Sequence, residues 1–279
     1  MKTNELSALA YELRKNVMDI IKAGKGGHIG GDMSVMDTLV TLYFHEMNIS
    51  PENMDDEGRD RFIMSKGHSV EALYAVLARK GFFPLDEVLS KFSQFGSEFI
   101  GHPNNHLPGI EMNSGSLGHG LPVAVGMALA GKMNHQNYRV YVVMGDGELA
   151  EGSVWEGAMS AHNYNLDNLC AVVDRNRLQI SGGTEEVMKQ DSQVERWKAF
   201  GWNVIDVKNG NSIQELEDAF AAARLCKGSP TVLIANTVKG CGSSVMENKA
   251  SWHHKVPTQE EYEQIMKDLE AGREVFCHE

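Results

Sequence analysis

Tyr138-Arg139-Val140-Tyr141-Val142-Val143-Met144 runs directly into Gly145-Asp146-Gly147-Glu148-Leu149-Ala150-Glu151-Gly152. The first seven residues are rich in β-branched and aromatic side chains, which suit a pleated, buried surface, so a strand is expected over 138–144. Ser153 and Glu156 then stand at capping-box spacing, which predicts a helix start immediately after the glycines. Four more strands are expected, over 62–64, 169–173, 203–207 and 231–238. Between them lie helical periods: Ile213, Leu216, Phe220 and Ala223 recur at spacings of 3, 4 and 3 behind Ser212 and Glu215. Ser192 with Glu195 and Thr258 with Glu261 repeat the same start signal. This alternation predicts an α/β protein with a mainly parallel sheet and helices on both faces. In such sheets ligands bind beyond the carboxyl ends of the strands.

Upstream of Tyr138 the chain reads as helical and glycine-punctuated, with helices expected over 5–22, 34–47, 70–80 and 119–133. No repeat, low-complexity tract or proline-rich linker divides it, so 1–279 is expected to be one domain. At about 150 residues per domain, the length of 279 residues lies near the point where a single core stops growing. With 42% apolar and 23% charged residues and 7 prolines, the composition is that of a folded protein. The 38 acidic against 26 basic side chains give a net charge of −12, with no basic run to hold a nucleic-acid backbone. Apolar stretches such as 121–130 fall well short of the ~20 residues that span a bilayer, so no membrane partner is expected. The N-terminus lacks a basic start followed by an apolar run, and the four cysteines form no C-x-x-C pair. A cytoplasmic location is expected.

Glycines after a strand let backbone N–H groups approach a phosphate, and the following helix N-terminus favours an anion. The loop 145–150 also fits G-x-G-x-x-A, the dinucleotide fingerprint. Asp146 argues against that reading. Two like charges about 4 Å apart repel by roughly 4 kcal/mol at an effective dielectric of ~20, so a bare pyrophosphate would be pushed away. A divalent cation between carboxylate and phosphates reverses the sign, because magnesium is commonly held by one or two carboxylates plus phosphate oxygens. A second oxygen ligand is expected from Asn176, which follows the strand over 169–173 and would reach the same sheet edge as Asp146. The alternative is that Asn176 merely makes a turn.

Gly145-Asp146-Gly147 followed thirty positions later by Asn176 resembles the binding motif of thiamine-diphosphate enzymes. Further pieces narrow the resemblance to transketolase. Gly27-His28-Ile29-Gly30-Gly31 resembles its first histidine segment, Ser65-Lys66-Gly67-His68 its second and Gly101-His102-Pro103 its third. Gly115-Ser116-Leu117-Gly118 resembles its diphosphate loop, and Ser251-Trp252-His253 its late histidine segment. The match runs from about Gly24 to Pro257. It implies a three-layer α/β/α thiamine diphosphate-binding fold and the transfer of a two-carbon ketol unit from a ketose phosphate to an aldose phosphate. Ile29 departs from a common proline, and His119 from a common glutamine.

Four of eleven histidines, His28, His68, His102 and His119, directly follow glycine, which leaves room for an imidazole to face a ligand. By resemblance, His28 and His253 relay protons beside the bond being cleaved, and His102 holds the ketol end of the donor. Asp146, Asn176 and the Leu178 carbonyl would bind Mg2+ or another divalent cation such as Ca2+. His68, His253, Asn176, Gly115, Leu117 and Gly147 would shape the thiamine diphosphate site. Glu151 resembles a family glutamate at the contact with the partner domain, or is an ordinary acidic residue in a helix first turn. His45, His106, His135, His162 and His278 read as ordinary residues. His253-His254 is not expected to form a metal pair, since adjacent residues do not share a helix face. Gly126 to Lys132 fits the start of a P-loop, but Met133 stands where Ser or Thr would bind magnesium.

The resemblance also implies a missing half. In the family, the glutamate that activates the pyrimidine ring comes from a second domain, so a separate pyrimidine-binding subunit is expected, joined to this chain in an α2β2 heterotetramer. Three other readings stay open: a 1-deoxyxylulose-5-phosphate synthase-like enzyme, a NAD-dependent oxidoreductase and a non-catalytic regulatory subunit. An oxidoreductase would want an acidic residue about 20 positions after its glycines, at the end of the second strand. Asp167 comes before that strand and Asp174 arrives late.

Overall fold

Period-two patterning of the strands decides the layers. The computed structural model describes residues 1–277, so His278 lies outside the described residues. The chain begins with α1 (Thr3–Gly24) and α2 (Ile29–Thr41), then β1 (Arg61–Met64), α3 (Val70–Lys80), α4 (Leu85–Lys91) and α5 (Gly120–Met133). The quoted stretch forms β2 (Val140–Gly145) and leads into α6 (Gly152–Asn163) and β3 (Leu169–Arg175). A small hairpin of β4 (Leu178–Gln179) and β5 (Gly182–Gly183) precedes α7 (Thr184–Val187) and α8 (Gln193–Ala199). β6 (Asn203–Val207), α9 (Ile213–Leu225), β7 (Thr231–Asn236) and α10 (Gln259–Cys277) complete the fold.

Five strands form one sheet in the order β1-β2-β3-β7-β6, every pair parallel. Successive side chains along a strand point to opposite faces. On β2 and β3, Tyr141, Val143, Cys170 and Val172 join a core with α1, α2, α3 and α9. Val140, Val142, Met144, Ala171 and Val173 join a second core with α5, α6 and α8. A sheet covered on both faces needs apolar residues at every position, which is why β2 and β3 read as continuous hydrophobic runs. The result is the expected three-layer α/β/α arrangement. Among the described residues, no helix is long and apolar enough to cross a membrane.

Two local expectations shift. The helix expected over 34–47 begins instead at Ile29, ends at Thr41 and passes into a wide turn, Leu42–Glu46. Gly30 and Gly31 read as loop, yet they occupy the first turn of α2 because of what packs on them. A Cβ on Gly30 would meet the Trp252 carbonyl at 2.6 Å, and one on Gly31 would meet Ser69 Oγ at 2.7 Å. Ser153 does not cap α6. Glu151 takes the N-cap position, and Ser153 Oγ donates to the Gly118 carbonyl at 2.9 Å, so a tertiary contact outcompetes the local one. Ser192 and Ser212 do cap, each accepting from the backbone N–H three residues on. Thr258 and Glu261 form the full reciprocal box.

Candidate functional site

Parallel pairing puts the carboxyl ends of β1, β2, β3 and β7 side by side, and the residues that leave those ends line one cleft of about 250 Å3. β1 delivers Lys66 and His68, β2 delivers Gly145, Asp146, Gly147 and Glu148, and β3 delivers Asn176 and Leu178. Lys239 comes from the turn after β7, His28 from the N-terminus of α2, and His102, Gly115, Leu117 and His253 from connecting loops. Of the candidate residues read from the sequence, only Glu151 stands off this lining. It is exposed at the N-cap of α6, beside the 115–118 loop: a Cβ on Gly118 would meet Glu151 Cβ at 2.6 Å.

The register β2–β3 pairs Gly145 with Asp174, which brings Asp146 and Asn176 to one edge as expected. Asp146 is 3% exposed; it accepts from Gly147 N–H at 2.9 Å and from Arg177 N–H at 2.6 Å. Burial, followed by the neighbouring Asp174 charge, pushes its carboxyl up to about 6. A buried carboxyl raised in this way gains a partner when a cation arrives. Asn176 is buried too, and its Oδ1 accepts from Leu178 N–H at 3.1 Å. The Leu178 carbonyl accepts from Lys239 Nζ at 3.1 Å. Among the described residues no three His, Cys, Asp or Glu side chains gather as a metal site. A cation here would therefore take the mixed oxygen set of carboxylate, amide and carbonyl, completed by phosphate oxygens, which suits magnesium. The donor set fits.

Glu148, which sequence reading passed over, organises the phosphate loops. Its carboxylate accepts from Gly118 N–H at 2.9 Å, from Gly145 N–H at 3.1 Å and from the Ser65 hydroxyl. It thus ties the end of β1, the end of β2 and the 115–118 loop together. Lys66 and Lys239 add positive charge to the cleft. Lys66 pairs with Asp174, whereas Lys239 Nζ stands 3.0 Å from His253 Nδ1. Burial, with the Lys66 charge behind it, pushes Lys239 down to about 8, the mark of a cation waiting for an anion. Both lysines lie within two residues of expected strand ends, and the rule for ligand position at carboxyl ends could have flagged them.

The histidines gather as the sequence suggested, and more tightly. The His28 ring lies 5.2 Å from His68, 5.5 Å from His253 and 6.2 Å from His102, centroid to centroid. His254, to which no role was given, lies nearer still at 4.7 Å and is exposed at the rim. Burial, followed by His254 and His102, pulls His28 down to about 4. Burial and the Lys239 charge pull His253 down to about 3, and His68 is lowered in the same sense by burial and Lys66. Neutral imidazoles at pH 7 can accept a proton or a hydroxyl hydrogen bond. His28 Nδ1 and Gln179 Nε2 are buried without a partner in this cleft, which leaves polar groups for a ligand to satisfy. His119 instead sits exposed at the N-cap of α5, with Nδ1 3.0 Å from the Leu117 carbonyl.

The thiamine diphosphate binding domain of transketolase matches residues 6–275. This chain belongs to the transketolase family. It is 48% identical over 269 residues to an apulose-4-phosphate transketolase subunit of Phocaeicola vulgatus, covering 96% of this chain and 95% of that one. It is 39% identical over 267 residues to the 6-deoxy-6-sulfo-D-fructose transketolase subunit SqwG of a Clostridium species, covering 95% and 96%. The transketolase of Campylobacter jejuni superimposes with a TM-score of 0.90 at 27% identity, over 99% of this chain and 46% of that chain. The chain thus spans less than half the length of that solved transketolase. The transketolase cleft binds thiamine diphosphate, and the oxidoreductase reading gives way. Its acidic candidate, Asp174, is fully buried and engaged by Lys66, Ser34 and Thr237, so it could not reach a ribose. The segment from Gly126 to Lys132 lies inside α5, which likewise removes the P-loop reading.

Proposed function

We propose that this chain is the diphosphate-binding subunit of a two-chain transketolase, transferring a two-carbon ketol unit from a ketose phosphate to an aldose phosphate. Residues 1–279 form one thiamine diphosphate-binding domain, and a separate chain supplies the pyrimidine-binding half in an α2β2 assembly in the cytoplasm. The observation that carries this reading is one cleft in which Asp146, Asn176 and Leu178 stand beside four inward histidines, His28, His68, His102 and His253. The two similar subunits named above are of nearly the same length as this chain, which supports the division into two chains.

Asp146, Asn176 and the Leu178 carbonyl hold Mg2+, with Ca2+ able to substitute. His68, Gly115, Leu117, Gly147 and His253 enclose thiamine diphosphate, and Lys239 faces its anionic end. Glu151, exposed beside the 115–118 loop, acts on the cofactor from the interface with the pyrimidine-binding chain. When bound, the cofactor supplies the carbanion chemistry that makes and breaks the carbon–carbon bond. The protein contributes placement and proton transfer. His28 and His253, both held neutral, take and return the proton of the hydroxyl beside the cleaved bond. His102, less buried, holds the ketol end of the donor.

Mixing this chain with its pyrimidine-binding partner, Mg2+ and thiamine diphosphate is expected to give ketol transfer from apulose 4-phosphate, 6-deoxy-6-sulfofructose or fructose 6-phosphate. The chain alone is expected to give none. Full turnover without a partner would overturn the two-chain reading. Turnover with pyruvate as donor in place of a ketose would move the enzyme to the deoxyxylulose-phosphate class.

A further inference from the structure

Behind His28 lie two carboxyl groups with no cation of their own. Asp32, in the first turn of α2, and Glu71, in the first turn of α3, are each 0% exposed. Asp32 Oδ1 accepts from Ala72 N–H at 3.0 Å. Asp32 Oδ2 and both oxygens of Glu71 find no hydrogen-bond donor, and the two carboxyl groups lie against each other. Two carboxylates cannot share a hydrogen bond without a proton between them. Both groups are raised by burial, Glu71 further by the charge of Asp32. The nearest lysine, Lys66, already spends its charge on Asp174 and the Gly31 carbonyl.

Both residues stand against the turn that carries His28. The Glu71 carboxyl faces the backbone of the His28 turn, while the Asp32 N–H donates to the His28 carbonyl at 3.3 Å. A Cβ on Gly27 would meet Glu71 Oε1 at 2.6 Å. Only glycine lets the carboxyl come this close to the turn. Glu71 also lies three residues beyond His68, on the helix that follows the His68 turn. A proton held between the two carboxyls would join the turn that carries His28 to the helix start that follows His68.

We propose that Asp32 and Glu71 share one proton at neutral pH and are positioning residues for His28 and His68, fixing the two imidazoles against each other in the cleft. Loss of the shared proton leaves two adjacent negative charges in apolar surroundings. Their repulsion opens the turn at Gly27 and His28. The inference rests on the transketolase reading only for the use made of His28, since the carboxyl pair acts on the chain without cofactor.

The charged and titratable groups facing the pair are Lys66, Tyr74 on α3 and the His28 turn, while Lys239, His253, His254 and His102 face the His28 and His68 rings beyond it. Because burial lowers the His28 ring to about 4 and lowers His68 in the same sense, an inflection in their signals near neutral pH reports a neighbour. The test is NMR of the full chain, 13C-labelled at histidine and free of cofactor, with His28 and His68 assigned from H28Q and H68Q. Wild type is expected to show one inflection shared by both rings. E71Q donates to Asp32 without a titrating proton, so the rings should keep their low-pH shifts and lose that inflection; D32N should behave alike. A Lys239 titration would survive in both variants and so be told apart. An unchanged inflection in E71Q and D32N, or its absence from wild type, overturns the proposal. So does an unshifted His28 signal in Glu71→Leu. Failure of the cofactor reading would leave these outcomes unchanged, because no cofactor is present.

Discussion

Lys66 and Asp174 face each other as an ion pair beneath the cleft, each side chain 1% exposed. The Asp174 carboxylate also accepts from Ser34 Oγ at 2.7 Å and from the Thr237 hydroxyl, which joins α2, β1, β3 and the end of β7 at one point. Burial alone would raise Asp174, but the charge and hydrogen bond of Lys66 outweigh it and hold the carboxyl below its ordinary value. Replacing Lys66 by methionine leaves the carboxylate buried without its cation. A loss of about 3–5 kcal/mol is expected in urea unfolding. Because the folded value is depressed, this stabilisation is present above the ordinary carboxylate range and is lost as pH falls through the folded value. A K66M variant within 1 kcal/mol of wild type at pH 7 would refute this assignment.

Asp146 is expected to decide cofactor binding. Thermal unfolding of wild type should shift upward only when Mg2+ and thiamine diphosphate are both present, by the equivalent of about 2.7 kcal/mol at 100 times the dissociation constant. D146A should show no such shift, even though orphaning Gly147 N–H and Arg177 N–H lowers its midpoint without ligands. An equal shift in both proteins would remove Asp146 from the cation site.

Removing Glu148 should loosen three loops at once. E148A leaves Gly118 N–H, Gly145 N–H and the Ser65 hydroxyl without their acceptor, at about 1–3 kcal/mol for each group that water cannot reach. Urea unfolding measures the stability loss, and calorimetry with thiamine diphosphate the expected loss of affinity. E148Q, which retains an acceptor oxygen, should fall between. If E148A bound cofactor as wild type does, the 115–118 loop would not depend on this carboxylate.

Asp32 and Glu71 give stability the opposite pH dependence from Asp174. Their folded values are raised, so the native chain keeps a proton that the unfolded chain has released. Their contribution is greatest below the ordinary carboxylate range and is lost as pH rises toward the folded values, at about 1.4 kcal/mol per pH unit for each proton retained. Unfolding curves of wild type and E71Q compared from pH 4 to 8 should diverge with this sign. Parallel curves would show that the pair holds no extra proton.

The sequence by itself determined the strand–glycine–helix unit at 138–152, the parallel α/β class and the gathering of Asp146 and Asn176. Each depends on residues close in sequence or on the regular spacing of adjacent strands. Continuous apolar runs in β2 and β3 reported burial on both faces, and glycines before His28, His68 and His102 marked imidazoles with room to face a ligand. Local signals failed where distant groups competed for the same atoms. Ser153 left its cap for the Gly118 carbonyl, and Gly30 and Gly31 entered a helix because Trp252 and Ser69 press against them. Only the tertiary structure decided that Glu148 holds three loops, that Lys66 neutralises Asp174 and that Asp32 meets Glu71 behind His28. Apart from Gly145, those partners are 30 to 108 residues apart, and a buried charge declares its role only when the low-dielectric surroundings and the groups that share them are in place.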